Sequence, residues 1–193
     1  MNYLKSVYLC LVVTAMGMVT TSCEKKEVPV RFAIASDFHA PDVPGGKERV
    51  ETFIKVASDE NVDFIIELGD FCRLDSVNQV YRDVWNSFKG EKHHVIGNHD
   101  LDRYSVDEYV AGMGMPNRYY SFDKGNFHFV VLDGNNYSDG EEIHHYDHAN
   151  YGKYPLSNHS YMDKEQMEWL EKDLASTNLK TVLLSHQSLD SEL

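Results

Sequence analysis

Residues 62–70 read VDFIIELGD. A short run rich in β-branched and aromatic residues, bounded by Gly-Asp, reads as a buried strand that ends in a turn. The same arrangement recurs on both sides of it. Val30–Ser36 (VRFAIAS) runs into Asp37-Phe38-His39, His94–Ile96 (HVI) into Gly97-Asn98-His99-Asp100, and Lys180–Leu184 (KTVLL) into Ser185-His186. Four such strands, parallel in one sheet, bring all four polar tips to one carboxyl edge, where open α/β sheets build their sites. Asp, Asn and His are hard-to-borderline ligands, suited to Mn, Fe or Zn and unlike a thiolate site.

The intervening segments support that sheet. Gly45-Gly46 precedes a predicted helix over 47–61, whose Val50, Phe53, Ile54, Val56 and Ala57 keep near-helical spacing. A second helix is predicted over 77–88, with Val80, Tyr81, Val84, Trp85 and Phe88 on its apolar positions. Strand–helix–strand–helix–strand in this rhythm means an α/β fold with a parallel sheet. A short helix is expected near 106–111. Residues 118–122 and 126–132, separated by Asp123-Lys124-Gly125, read as a hairpin closed by Asp133-Gly134-Asn135-Asn136. Residues 164–176 form a helix with Met167, Leu170 and Leu174 on one stripe, leading into the last strand. Residues 138–161 show no hydrophobic period and carry His144, His145, His148 and His159. They read as a long loop over the site face: a variable surface insertion, or a substrate lid and donor of replacement ligands.

D-x-H, then G-D, then G-N-H-D, then a later S-H resembles the ordered signature of the calcineurin-like metallophosphoesterases, from Val30 to the end of the chain. The resemblance implies a calcineurin-like sandwich with flanking helices and metal-dependent hydrolysis of a small phosphate ester, with two divalent ions. It implies that Asp37 and His39 bind one ion, that Asp70 bridges both, and that Asn98 and His186 bind the second. His99 would serve as general acid or phosphate contact, and Asp100 would orient His99 through its other ring nitrogen. Two departures stand out. Arg73 occupies the place where the family often carries Asp or Asn, which argues against the purple acid phosphatase branch with its Tyr ligand; Arg73 holds substrate phosphate or pairs with Asp75. The family's later G-H-x-H block does not occur in the sequence. A domain of residues 30–193 is therefore expected to lack its C-terminal part, including a second sheet. Two readings of activity stand: a phosphoester hydrolase, or a catalytically defective fragment or pseudoenzyme retaining a partial metal site.

The N-terminus has a different character. Lys5, the apolar Val7–Val19 and the small residues Thr20-Thr21-Ser22 before Cys23 have the layout of a secretory leader. Cys directly after small residues resembles a bacterial lipoprotein processing site. The expectation is a leader over 1–22, a tether over 23–29, and an exported protein held to a membrane by a lipid on Cys23. Of the three cysteines only Cys72 then remains in the domain, so no disulfide framework is available. The chain has 18 Lys and Arg against 31 Asp and Glu, a net charge of -13. Such a balance repels nucleic-acid phosphates, whose binding rests on Lys and Arg.

Overall fold

The structure, a computed structural model, describes residues 28–189. The expected leader and Cys23 lie outside the described residues. Three parallel strands, β1 (Phe32–Ala35), β2 (Phe64–Glu67) and β3 (Glu91–His94), form one sheet in the order β1-β2-β3. Helices α1 (Gly46–Asp59) and α2 (Gln79–Asn86) make the crossovers. The central strand β2 is buried throughout, as its unbroken apolar run predicts.

The fourth strand departs from expectation. After α3 (Val106–Met113), strands β4 (Tyr120–Lys124) and β5 (Phe127–Val131) form the predicted hairpin. Two further strands, β6 (Asn136–Ser138) and β7 (Ile143–His145), pair with each other, and then α4 (Lys164–Ser176) leads to β8 (Lys180–Leu184). β8 pairs parallel with β5 in a second sheet, β4-β5-β8, and does not join β1–β3. The cause lies in α4. Its Leu170 packs with Val130 and Leu132 of the second sheet, so the chain returns beside β5. A second sheet, expected from a missing segment, is thus already present within the chain.

The two sheets face each other across Phe64, Ile66 and Val95 on one side and Phe129, Val131 and Leu184 on the other. The pleat turns the alternate residue Ile65 to the opposite face, where it meets Val50, Ile54, Ala57 and Trp85 of α1 and α2. Only part of the predicted α4 stripe is internal: Gln166 and Leu170 are buried, while Met167 and Leu174 are exposed. Gln166 is held inside because it caps both sides of Asp133, accepting from its N–H at 2.8 Å and donating to its carbonyl at 2.7 Å. At the sheet margins β1 and β8 have no outer neighbour among the described residues, and Phe32, Ile34 and Leu183 are exposed there.

Residues 138–161 are more ordered than a loop. The β6–β7 hairpin and two 3-10 turns, Asn150–Lys153 and Leu156–Asn158, bring Tyr137 and Tyr146 into a core with Leu101, Val106 and Tyr109. Aromatic stacking replaces aliphatic periodicity as the organising force, with Tyr137 on Tyr154 at 4.5 Å and Tyr146 on Tyr151 at 4.3 Å.

Candidate functional site

The tips of β1 and β2 are laced together by their own backbone. The N–H of Asp37 donates to Gly69 O at 3.1 Å, that of His39 to Asp70 O at 2.8 Å, and that of Ala40 to Phe71 O at 3.0 Å. Asp37, His39 and Asp70 take left-handed φ values of 57°, 44° and 57°. Such conformations are costly for non-glycine residues and persist where surrounding bonds impose them. The glycines before Asp70 and Asn98 have a steric reason. A Cβ on Gly97 would lie 2.2 Å from Asp70 Oδ1, and one on Gly69, at φ 99°, would lie 2.6 Å from the Gly97 nitrogen.

Asp100 supplies the rest of the lacing, and this corrects its expected role. Its carboxylate, buried at the base of the loops, accepts from the N–H groups of Asp70 (2.9 Å), Phe71 (3.0 Å) and Gly97 (2.9 Å). Burial, with the Glu67 and Asp70 carboxyls beside it, pushes the Asp100 pKa up, while the Gly97 N–H pulls it down. The group facing His99 is Asp102, whose Oδ2 lies 2.9 Å from His99 Nδ1. Partial burial alone would lower the His99 pKa. The Asp102 hydrogen bond and the charges of Asp70 and Asp102 outweigh it and hold the ring above the usual histidine value. His99 and Asp102 are the first and last positions of one 3-10 turn, where residues three apart eclipse.

Above this base the five expected ligand side chains converge. Asp70 Oδ1 accepts from the His99 backbone N–H at 2.9 Å, leaving Oδ2 to face outward. That oxygen lies 3.5 Å from His39 Nε2 and 3.5 Å from His186 Nε2. His39 Nε2 is also 3.4 Å from Asp37 Oδ1, and His186 Nε2 is 3.2 Å from Asn98 Oδ1. Ligand atoms of Asp37, Asp70 and His186 all fall within 4.8 Å of one another. His186 arrives from the other sheet because the carboxyl end of β8 reaches the same edge; its Nδ1 sits 2.8 Å from the Leu68 carbonyl.

These residues fit a divalent cation. A carbonyl oxygen only accepts, so the proton of a neutral His186 ring sits on Nδ1 and the Nε2 lone pair points into the site. It meets a carboxylate oxygen and an amide oxygen, two further acceptors. A nitrogen lone pair and two oxygen acceptors facing one point form a donor set that suits a bound cation. The spacings agree, since ligands tetrahedrally placed about 2.1 Å from an ion stand about 3.4 Å apart. Asp70 Oδ2 belongs to both groupings, Asp37–His39 and Asn98–His186.

Several contributors were not evident from the sequence. Gln187 Nε2 donates to Asn98 Oδ1 at 3.0 Å and to Asn135 Oδ1 at 3.2 Å, fixing the amide that faces His186. Asn135, read as a turn residue, is buried and donates to Ile96 O at 2.7 Å. Below the loops Glu67 and His94 face each other across paired strands, Oε1 and Nδ1 2.8 Å apart. Burial pushes Glu67 up to about 8 and His94 down to about 3, so the pair is neutral at pH 7. Arg73 lies at the rim of a shallow pocket with His39, Asp70 and His99. It forms a two-pronged pair with Asp42 at 2.7 and 2.8 Å, while Asp75 pairs with Arg103 and Tyr104. His144, His145, His148 and His159 do not enter the ligand cluster. Their ring nitrogens face Asp139, Asn136, Asp147 and the Tyr151 carbonyl.

Comparison with known proteins places this arrangement. The family model described as calcineurin-like phosphoesterase matches residues 30–192. A dimetal phosphatase from Danio rerio has a similar structure, with a TM-score of 0.66 at 16% identity over 83% of this chain and 70% of that one. A phosphopantetheinyl hydrolase from Mycobacterium tuberculosis aligns at a TM-score of 0.44 and 16% identity, over 84% of this chain and 70% of that one. No curated protein sequence matches the chain. With the signature loops joined at one edge of a two-sheet sandwich, this chain belongs to the calcineurin-like phosphoesterases, a family of metal-dependent phosphoester hydrolases.

Proposed function

We propose that the chain hydrolyses a small phosphate ester at a two-metal site, with Asp37 and His39 on one ion, Asn98 and His186 on the other, and Asp70 shared. The observation that carries this reading is the position of Asp70 Oδ2, 3.5 Å from both His39 Nε2 and His186 Nε2. Two divalent ions, when bound, supply a nucleophile at neutral pH and neutralise the phosphoryl oxygens. The chain's own residues supply the rest. Asp100 fixes the loops through three backbone N–H groups, so the ligands are held before substrate arrives. His99, with its side chain half exposed at the site mouth, is placed to protonate the leaving oxygen. Arg73 offers a fixed guanidinium at the rim to an anionic substrate group. The acidic balance of the chain favours a small substrate over nucleic acid.

The test combines metal content and turnover. Protein dialysed against Mn or Zn is analysed for bound metal and assayed on nitrophenyl phosphate mono- and diesters. Two equivalents of metal with metal-dependent turnover is the expected result. Metal without turnover would leave a partial site and overturn the hydrolase reading. The same proposal places the protein outside the cytoplasm, anchored through Cys23; Cys23→Ser should move it from the membrane fraction to the soluble one.

A further inference from the structure

We propose that Tyr151 is a positioning residue for this reaction: its hydroxyl fixes the carboxylate of Asp102, and through it the ring of His99. The inference rests on the hydrolase reading for its kinetic consequence but not for its structural one. Tyr151 Oη donates to Asp102 Oδ1 at 2.6 Å, while the other oxygen of the same carboxylate lies 2.9 Å from His99 Nδ1. The three groups form one chain, Tyr151–Asp102–His99.

The second contact is needed because the first is weak on its own. The His99 side chain is 54% exposed and that of Asp102 25% exposed. Ion pairs in such positions typically contribute about 0–1 kcal/mol, too little to hold a ring in one orientation. A donor on the second oxygen removes the rotation of the carboxylate. Tyr151 is itself well anchored. Its ring stacks on the buried Tyr146 at 4.3 Å, and its carbonyl lies 3.0 Å from His159 Nε2. Its turn is tied to the segment after His99 by Ala149 N–H donating to Leu101 O at 3.1 Å. The aromatic segment 136–161 thus acts as a brace on the turn that carries His99. This gives its tyrosines a use that the sequence pattern did not suggest.

Tyr151→Phe tests the proposal, since it keeps the stacked ring and removes only the hydroxyl. In metal-free protein that stays folded, ¹H–¹⁵N spectra of the His99 ring should show one Nδ1–H tautomer in the wild type and a mixture in the variant. In the metal-loaded protein, kcat should fall about 10-fold with KM unchanged. The double variant Tyr151→Phe/Asp102→Ala should be no slower than Asp102→Ala alone, because the hydroxyl acts through that carboxylate. Unaltered His99 ring signals, or additive losses in the double variant, would overturn the proposal. Absence of turnover in the wild type would count against the hydrolase reading, while the ring spectra still decide the role of Tyr151.

Discussion

His186 Nε2 lies 3.5 Å from Asp70 Oδ2, although the two residues follow strands of different sheets. The contact is thus a joint between the two halves of the sandwich. Asp70→Ala removes the oxygen common to both ligand groups. Divalent metal affinity should fall by more than about 100-fold, beyond the usual loss for an outer partner. His186→Ala should weaken only one ion. Elemental analysis after dialysis reads both, and equal loss in the two variants would contradict a shared role for Asp70.

His99 contributes its backbone N–H to Asp70 but directs its ring to Asp102. His99→Ala keeps that N–H. It should retain metal and lose turnover by about 10²–10⁴-fold, the range for a lost general acid. A parallel loss of metal would show that the ring serves binding.

Two buried acids should respond oppositely to amidation. Glu67 is protonated at neutral pH and accepts from Gly69 N–H at 2.8 Å while facing His94. Glu67→Gln preserves both bonds and should change stability by less than about 1 kcal/mol. Asp100 uses both oxygens as acceptors for three N–H groups. Asp100→Asn turns an NH₂ toward one of those donors and should cost about 1–3 kcal/mol. Denaturant unfolding of the metal-free variants provides the comparison, and similar losses in both would show that Asp100 is not held through its three N–H partners.

His128 bridges Asp123 and Asp173, with ring nitrogens 2.6 and 2.7 Å from their carboxylates. Partial burial lowers its pKa, but the two hydrogen bonds and charges outweigh this and raise it above the ordinary value. A raised folded pKa contributes stability that is complete below the unfolded value near 6.5 and is lost as pH rises through the folded value. His128→Gln should therefore cost about 1–3 kcal/mol at pH 6 and clearly less at pH 9. A gap that does not change with pH would show that the ring is not clamped as a cation.

Much of the site was legible in the sequence because its determinants are local. Turn chemistry after a buried run places Asp37, His39, Asp70, Asn98 and His186 at strand ends, and Gly69 and Gly97 stand where only glycine lets those ends approach. The strands, crossover helices and β4–β5 hairpin follow from hydrophobic period and turn residues in the same way.

Tertiary structure decided what depends on partners distant in sequence. The period of Lys180–Leu184 marks a strand but not its sheet; the packing of Leu170 on Val130 and Leu132 delivers it to β5. The motif letters favoured Asp100 as the partner of His99. The 3-10 turn instead aims Asp100 inward at three backbone N–H groups and brings Asp102 beneath the ring. Residues 138–161 carry no aliphatic repeat because tyrosine stacking, which needs no fixed spacing, holds them together. The sequence by itself determined which metal-ligand residue types stand at the ends of strands. The folded chain determined which side chains hold those residues still, since that depends on groups brought together from separate elements.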